Sequence, residues 1–233
     1  MYALILAGGK GERLRPLTDT LPKPMVPVCG KPILEHQVEW LKVGGVTDVV
    51  FLSGYQADAI QDHFRDGKDF GINAHYSVED SPLGRGGAIK AGFPNIPSNE
   101  DTVAVLNGDV ITEEPLDRLK AVHRERKSDN SSHMATIMVV PMVSPYGLVD
   151  IDPSDTIIGF REKVEMEHWI NAGVYLFDRS IVDELPDLGD HETSTFPRLA
   201  DVGQLAAVRS RKFWQSVDSF KDLREAEERI GNR

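Results

Sequence analysis

The sequence predicts an α/β fold on a mostly parallel sheet, and two observations carry that expectation. Through the first half, short apolar runs rich in β-branched residues alternate with amphipathic stretches. Beyond Lys127 the strand candidates follow one another too closely for crossover helices, so antiparallel additions are expected there.

The run YALILA opens the chain as a strand, and residues 32–43 form the first helix candidate. DVVFLS and a helix over 57–64 repeat the unit, followed by the strands INAHYS and TVAVLN and the helices 86–93 and 115–126. RKSDNSSH is polar and reads as a surface connection between the two halves. The second half offers the strands ATIMVVP, GLVDID, TIIGFRE, INAGVYLFD and QLAAVRS, a 214–218 segment, and a charged helix from 220 to about 230.

Composition bounds the function. A net charge of −11 over 233 residues opposes a nucleic-acid or anionic-membrane partner. One cysteine, Cys29, excludes an internal disulfide. The apolar start breaks at Gly8-Gly9, too short for a leader or a membrane span, so a cytoplasmic protein is expected.

Gly8, Gly9 and Gly11 follow the first strand directly, where an α/β sheet offers its ligand crevice. Glycines there let backbone N–H groups approach phosphate oxygens, and Lys10, Arg13 and Arg15 can neutralise their charge. A plain glycine turn with solvated basic residues is the structural alternative. Two rival motifs fail: Leu14 stands where the dinucleotide fingerprint needs a third glycine, and Gly30-Lys31 is followed by Pro32 rather than Ser or Thr.

Read onward, LAGGKGERLRPLTDTLPKPMVPVCGKP resembles the signature of the sugar-1-phosphate nucleotidylyltransferases, the mannose, heptose and glucose enzymes among them. The likeness continues in order through SPLGRGGAI, LNGD, YGLVD, FREK, INAGVYLFD and WQSVD, nearly the whole chain. It implies a Rossmann-like three-layer α/β fold with a mixed, mostly parallel central sheet, of the nucleotide-diphospho-sugar transferase type. It also implies one domain over 1–233, with a nucleotide-binding half at about 1–127 and a sugar-phosphate-binding half at about 134–233. The implied substrates are a nucleoside triphosphate and a sugar 1-phosphate, the implied cofactor is Mg2+, and a homodimer is a possibility.

Carried over by motif, Leu6, Ala7, Gly8, Gly9 and Gly11 would wrap the nucleotide, with Gly86 and Gly87 against the base. Arg13 would hold the departing pyrophosphate and Lys23 the transferred phosphate, while Asp109 and Asp218 would hold magnesium. Gly147, Glu162 and Asn171 would meet the sugar, and Lys163 its phosphate. Each has a plainer reading: the aspartates as helix caps, the lysines as surface cations, Glu162 as one of an exposed pair, Asn171 as a turn former. Asp150 and Asp152 form a D-x-D, but Pro153-Ser154 point to a turn.

The chemistry so implied needs no base to create a nucleophile, because the attacking phosphate oxygen is already anionic. Cations and in-line positioning are what it needs, which leaves the seven histidines, scattered without metal spacing, no required role. A non-catalytic sensor would be expected to lose a metal carboxylate or Arg13, and all are present. A glycosyltransferase would have no need of Arg13 and Lys23.

The pattern departs at three places: Arg85 where many relatives have Thr, Val164 for a proline, and Ser219-Phe220 for a Gly-Thr-Pro-like turn. The missing proline and short length favour the small mannose and heptose guanylyltransferases, hence GTP, with UTP, dTTP and CTP open. Arg85 is left between a phosphate or base contact and solvent.

Overall fold

The computed structural model describes residues 1–231. The chain runs β1 (Tyr2–Leu6), β2 (Pro27–Val28), β3 (Lys31–Pro32), α1 (Ile33–Val43), β4 (Asp48–Ser53), α2 (Ala57–Phe64), β5 (Asn73–Val78), α3 (Gly84–Gly92), β6 (Thr102–Asn107) and β7 (Val110–Thr112). It continues through α4 (Leu116–Asp129), β8 (Ala135–Val143), β9 (Leu148–Ile151), β10 (Ile157–Arg161), β11 (Glu165–Asp178), α5 (Thr195–Asp201), β12 (Leu205–Arg209), β13 (Trp214–Ser216) and α6 (Phe220–Gly231).

Seven strands form the central sheet in the order β12-β8-β11-β6-β1-β4-β5. Every neighbouring pair is parallel except the two made by β11, which runs antiparallel to β6 and β8. Alternating side chains on β1 show the three layers: Ala3 and Ile5 join a core with Leu34, Phe51 and Phe64, while Leu4 joins one with Ile89, Tyr175 and Phe196. Burying such side chains contributes about 1.5–3 kcal/mol each. A third cluster, including Leu14, Val26, Val217 and Leu223, fastens the segment after the glycine turn to α6. Strand order reverses around β1, with β4 on one side and β6 on the other, the arrangement that opens a crevice at carboxyl strand ends.

Some boundaries differ from expectation. Helix α3 begins at Gly84 rather than Gly86. Helix α4 continues to Asp129, into the segment expected as a surface connection, because Lys127 pairs with Asp178 at 2.7 Å and donates to the His133 carbonyl. Strand β11 reaches back to Glu165, pairing with Val143 across a register shift. The strands expected over GLVDID and TIIGFRE pair with each other as β9 and β10, apart from the central sheet. No helix among the described residues is long and apolar enough to cross a membrane.

Candidate active site

At the end of β1 the chain turns through Gly8–Gly11 along a cavity of about 620 Å³. Gly11 takes a left-handed φ of 62°, and a Cβ there would stand 2.6 Å from Lys23 Cβ, so this turn admits only glycine while Lys23 keeps its place. Gly8 faces Glu79, whose Oε1 would lie 2.9 Å from an added Cβ, whereas Gly9 has open space. Leu6 lines the cavity; Ala7 is fully buried behind it, its N–H donating to the Leu52 carbonyl at 2.7 Å.

The opposite wall comes from the end of β6. The Gly108 N–H donates to the Leu6 carbonyl at 2.9 Å, and a Cβ on Gly108 would fall 2.3 Å from that oxygen, so only glycine allows the two strand ends this approach. Asp109 follows at once and leads into β7, so it caps no helix. Strand β13 pairs with β7, and the Val217 N–H donates to the Asp109 carbonyl at 2.9 Å, which delivers Asp218 beside Asp109 despite their separation in sequence. Ser219 takes the capping work at α6, where the Asp222 N–H donates to Ser219 Oγ at 3.3 Å and Ser219 Oγ donates to Asp222 Oδ2 at 2.8 Å. Asp218 therefore faces the cavity.

Cations close this arrangement. Lys23 Nζ lies 2.5 Å from Asp109 Oδ2 and 2.6 Å from Asp218 Oδ1, and Arg13 Nη2 lies 2.6 Å from the same Asp218 oxygen. Burial pushes the Asp218 carboxyl up, but the hydrogen bond and charge of Lys23, the Ser216 hydroxyl and Arg13 outweigh it and hold it below the usual carboxylate range. One ammonium bridging two carboxylates shows that a small cation fits between them. No cluster of three or more His, Cys, Asp or Glu among the described residues could hold a metal unaided. Two carboxylates, completed by water and phosphate oxygens, are a donor set suited to magnesium.

The sequence-predicted residues divide among three places. Gly8, Gly9, Gly11, Arg13, Lys23, Asp109 and Asp218 meet at this cavity. Gly86 and Gly87 instead pack against the 186–189 segment: both N–H groups donate to the Gly189 carbonyl, and added Cβ atoms would strike Pro186 at 2.7 Å and the Asp187 carbonyl at 2.6 Å. From α3 it is Gly84, Arg85 and Ala88 that border the cavity. Gly147, Glu162 and Lys163 line a second cavity of about 640 Å³, with Tyr146, Trp214 and Lys221. Lys163 there faces Glu225 at 3.7 Å. Asn171 is held within β11, its amide donating to Tyr175 Oη at 2.8 Å and accepting from the Gly173 N–H at 3.0 Å.

Sequence reasoning missed Glu79, Asn107 and Gly108, all on the first cavity. Gly108 and Asn107 lie inside LNGD, and Glu79 follows a strand candidate by two residues, so position at a carboxyl strand end was the available signal. Arg85 is partly exposed but not free: it pairs with Asp190 and, at 2.7 Å, with Glu192.

The family model "Nucleotidyl transferase" matches residues 2–233. The chain belongs to that family. A UTP–glucose-1-phosphate uridylyltransferase of Synechocystis sp. is 34% identical over 97% of the chain, and a mannose-1-phosphate guanylyltransferase of Mycobacterium tuberculosis is 33% identical over 95%. The chain spans 62% of the length of each of these relatives. The crystal structure of HddC from Yersinia pseudotuberculosis superposes with a TM-score of 0.76 at 28% identity, covering 98% of this chain and 99% of that one. These likenesses bear out the α/β fold with its mixed, mostly parallel sheet and the resemblance to sugar-1-phosphate nucleotidylyltransferases.

Proposed function

We propose that this family member transfers a nucleotidyl group from a nucleoside triphosphate to a sugar 1-phosphate, releasing pyrophosphate, with GTP and a mannose- or heptose-type sugar favoured. The observation that carries the reading is the convergence of Arg13, Lys23, Asp109 and Asp218 beside an open glycine turn. A dianionic acceptor must approach a triphosphate in line, and the obstacle is charge. Lys23 offsets it on the attacking side and Arg13 on the leaving pyrophosphate, while the N–H groups of the glycine turn orient the triphosphate. Asp109 and Asp218 would hold magnesium, which when bound supplies further positive charge to the phosphate oxygens. Lys163, Glu162 and Gly147 serve the acceptor from the second cavity, with Lys163 on its phosphate, and Asn171, on β11 outside the lining of both cavities, meets the sugar hydroxyls.

Glu79 supports guanine. Its Oε2 accepts the Leu83 N–H at 2.9 Å, and Oε1 has no hydrogen-bond donor among the described residues. An acceptor-only carboxylate matches the adjacent N1–H and 2-amino donors of guanine, whereas uracil and thymine offer a single N–H between two carbonyls. HddC, similar in fold at 26% identity, has been solved complexed with GMP-PN, which fits the same preference.

The test is pyrophosphate release over GTP, UTP, dTTP, CTP and ATP against mannose, heptose, glucose and N-acetylhexosamine 1-phosphates, with magnesium and with chelator. Chelator-sensitive release with GTP is the expected result, and Glu79→Gln should move the preference toward UTP or dTTP. Release of a nucleoside diphosphate instead would indicate a glycosyltransferase, and silence across the matrix would defeat the reading.

A further inference from the structure

Arg85 and Asn171 are joined by an unbroken polar chain. The Arg85 guanidinium, bordering the nucleotide cavity, donates through Nη1 to Glu192 Oε1 at 2.7 Å. That same carboxylate oxygen accepts the Tyr175 hydroxyl at 3.1 Å, and Tyr175 Oη accepts the Asn171 amide at 2.8 Å. Asp190 steadies both ends of the first link: its Oδ2 accepts from Arg85 Nε at 2.8 Å and its Oδ1 from the Glu192 N–H at 2.9 Å.

The chain has a fixed direction. Tyr175 is fully buried, and burial followed by the nearby Glu192 charge raises its phenol far above the ordinary value, so it stays protonated. A phenol with one proton, given to a carboxylate, can only accept from Asn171. The Asn171 amide is thereby held with its nitrogen toward Tyr175 and its oxygen on the Gly173 N–H, leaving one amide proton and one carbonyl lone pair for a ligand. A satisfied chain of this kind in a low-dielectric interior fixes geometry more firmly than its separate bonds would.

We propose that Tyr175 and Glu192 are positioning residues that set the Asn171 amide for the acceptor sugar and tie it to the Arg85 border of the nucleotide cavity. The inference rests on the reading that Asn171 meets the sugar. Arg85, paired with Glu192 at 2.7 Å, is then the countercharge that keeps Glu192 aligned between the two substrate regions.

The experiment is steady-state pyrophosphate release by the full chain, varying each substrate at saturating levels of the other. Tyr175→Phe removes only the hydroxyl, and Glu192→Gln, on a partly exposed side chain, provides a second variant. Each should raise the KM for sugar 1-phosphate about fivefold, the worth of one hydrogen bond, with the KM for the nucleotide within about twofold of wild type. In an Asn171→Ala background Tyr175→Phe should add nothing, since the hydroxyl acts through the amide. An unchanged acceptor KM, equal rises in both KM values, or full additivity with Asn171→Ala would overturn the proposal while leaving the transferase reading intact. A wild-type protein inactive with every pair would remove both.

Discussion

Replacing Lys23 with methionine keeps the stem of the side chain and deletes the charge shared by the two aspartates. The ammonium lies 2.5 Å from Asp109 and 2.6 Å from Asp218, and its side chain is 12% exposed. Without it Asp218 keeps Arg13, which is 73% exposed and well screened, and Asp109 keeps no cation among the described residues. Breaking a buried pair costs about 3–5 kcal/mol, and partial exposure of these carboxylates reduces that to about 1–3 kcal/mol. Removing a positioned cation from the reacting phosphates should lower kcat by about 10²–10³. The pH dependence follows from Asp218, whose folded-state pKa is depressed mainly through Lys23 against the opposing effect of burial. Stability from such a group is present above its unfolded value of about 3.9 and is lost as the pH falls through the folded value. The Lys23→Met deficit should therefore be largest near pH 7 and shrink toward pH 3. Urea unfolding in chelator across that range, alongside pyrophosphate release, checks both effects. A deficit that does not change with pH, or turnover equal to wild type, would refute the bridging role.

Three further substitutions read other parts of the molecule. Gly108→Ala puts a Cβ 2.3 Å from the Leu6 carbonyl and should cost about 1–3 kcal/mol in urea unfolding and most of the activity, whereas Gly9→Ala meets nothing within 4 Å and should leave stability within about 0.5 kcal/mol while raising the nucleotide KM. His191 is fully buried, neither ring nitrogen is hydrogen-bonded among the described residues, and its nearest ion-pair contact, Asp190 Oδ1, lies 3.7 Å away. Burial pushes its pKa down to about 4, so the unfolded chain binds more protons below about pH 6.5 and stability falls from there toward pH 4. His191→Phe, among Tyr175, Phe177 and Phe196, should raise stability by about 1 kcal/mol at pH 7.5 and flatten the fall to pH 5, as urea midpoints would record.

Periodicity made the first half legible because its inner strands β1, β4 and β6 are buried on both faces and its helices on one. DVVFLS and TVAVLN read as continuous apolar runs for that reason, and both lie inside the central sheet. The amino-terminal end of β11 was not legible: Glu165, Met166, Glu167 and His168 are exposed, so no apolar alternation marks the strand, and only pairing with β8 extends it. At the site, the glycine turn announced itself through residue type. The meeting of Asp109 with Asp218 could not, since it depends on β13 pairing with β7, two strands of three residues each whose partnership has no local signal. Arg85 was visible as a departure from pattern, but its partners Asp190 and Glu192 come from a distant loop. Gly86 and Gly87 show the opposite case, glycines within a matched motif whose bare Cα atoms are required by packing against residues 186–189.

The central claim is that one cavity, bounded by the glycine turn, Lys23, Asp109 and Asp218, moves the α-phosphate of a nucleotide onto a sugar phosphate. GTP labelled at the α-phosphorus, supplied with mannose 1-phosphate or a heptose 1-phosphate and magnesium, measures that transfer. Label should appear in a nucleotide sugar with wild-type protein and fall by at least about 10²-fold with folded Asp109→Ala. Label that stays in GTP, or transfer that persists undiminished without Asp109, would contradict the account.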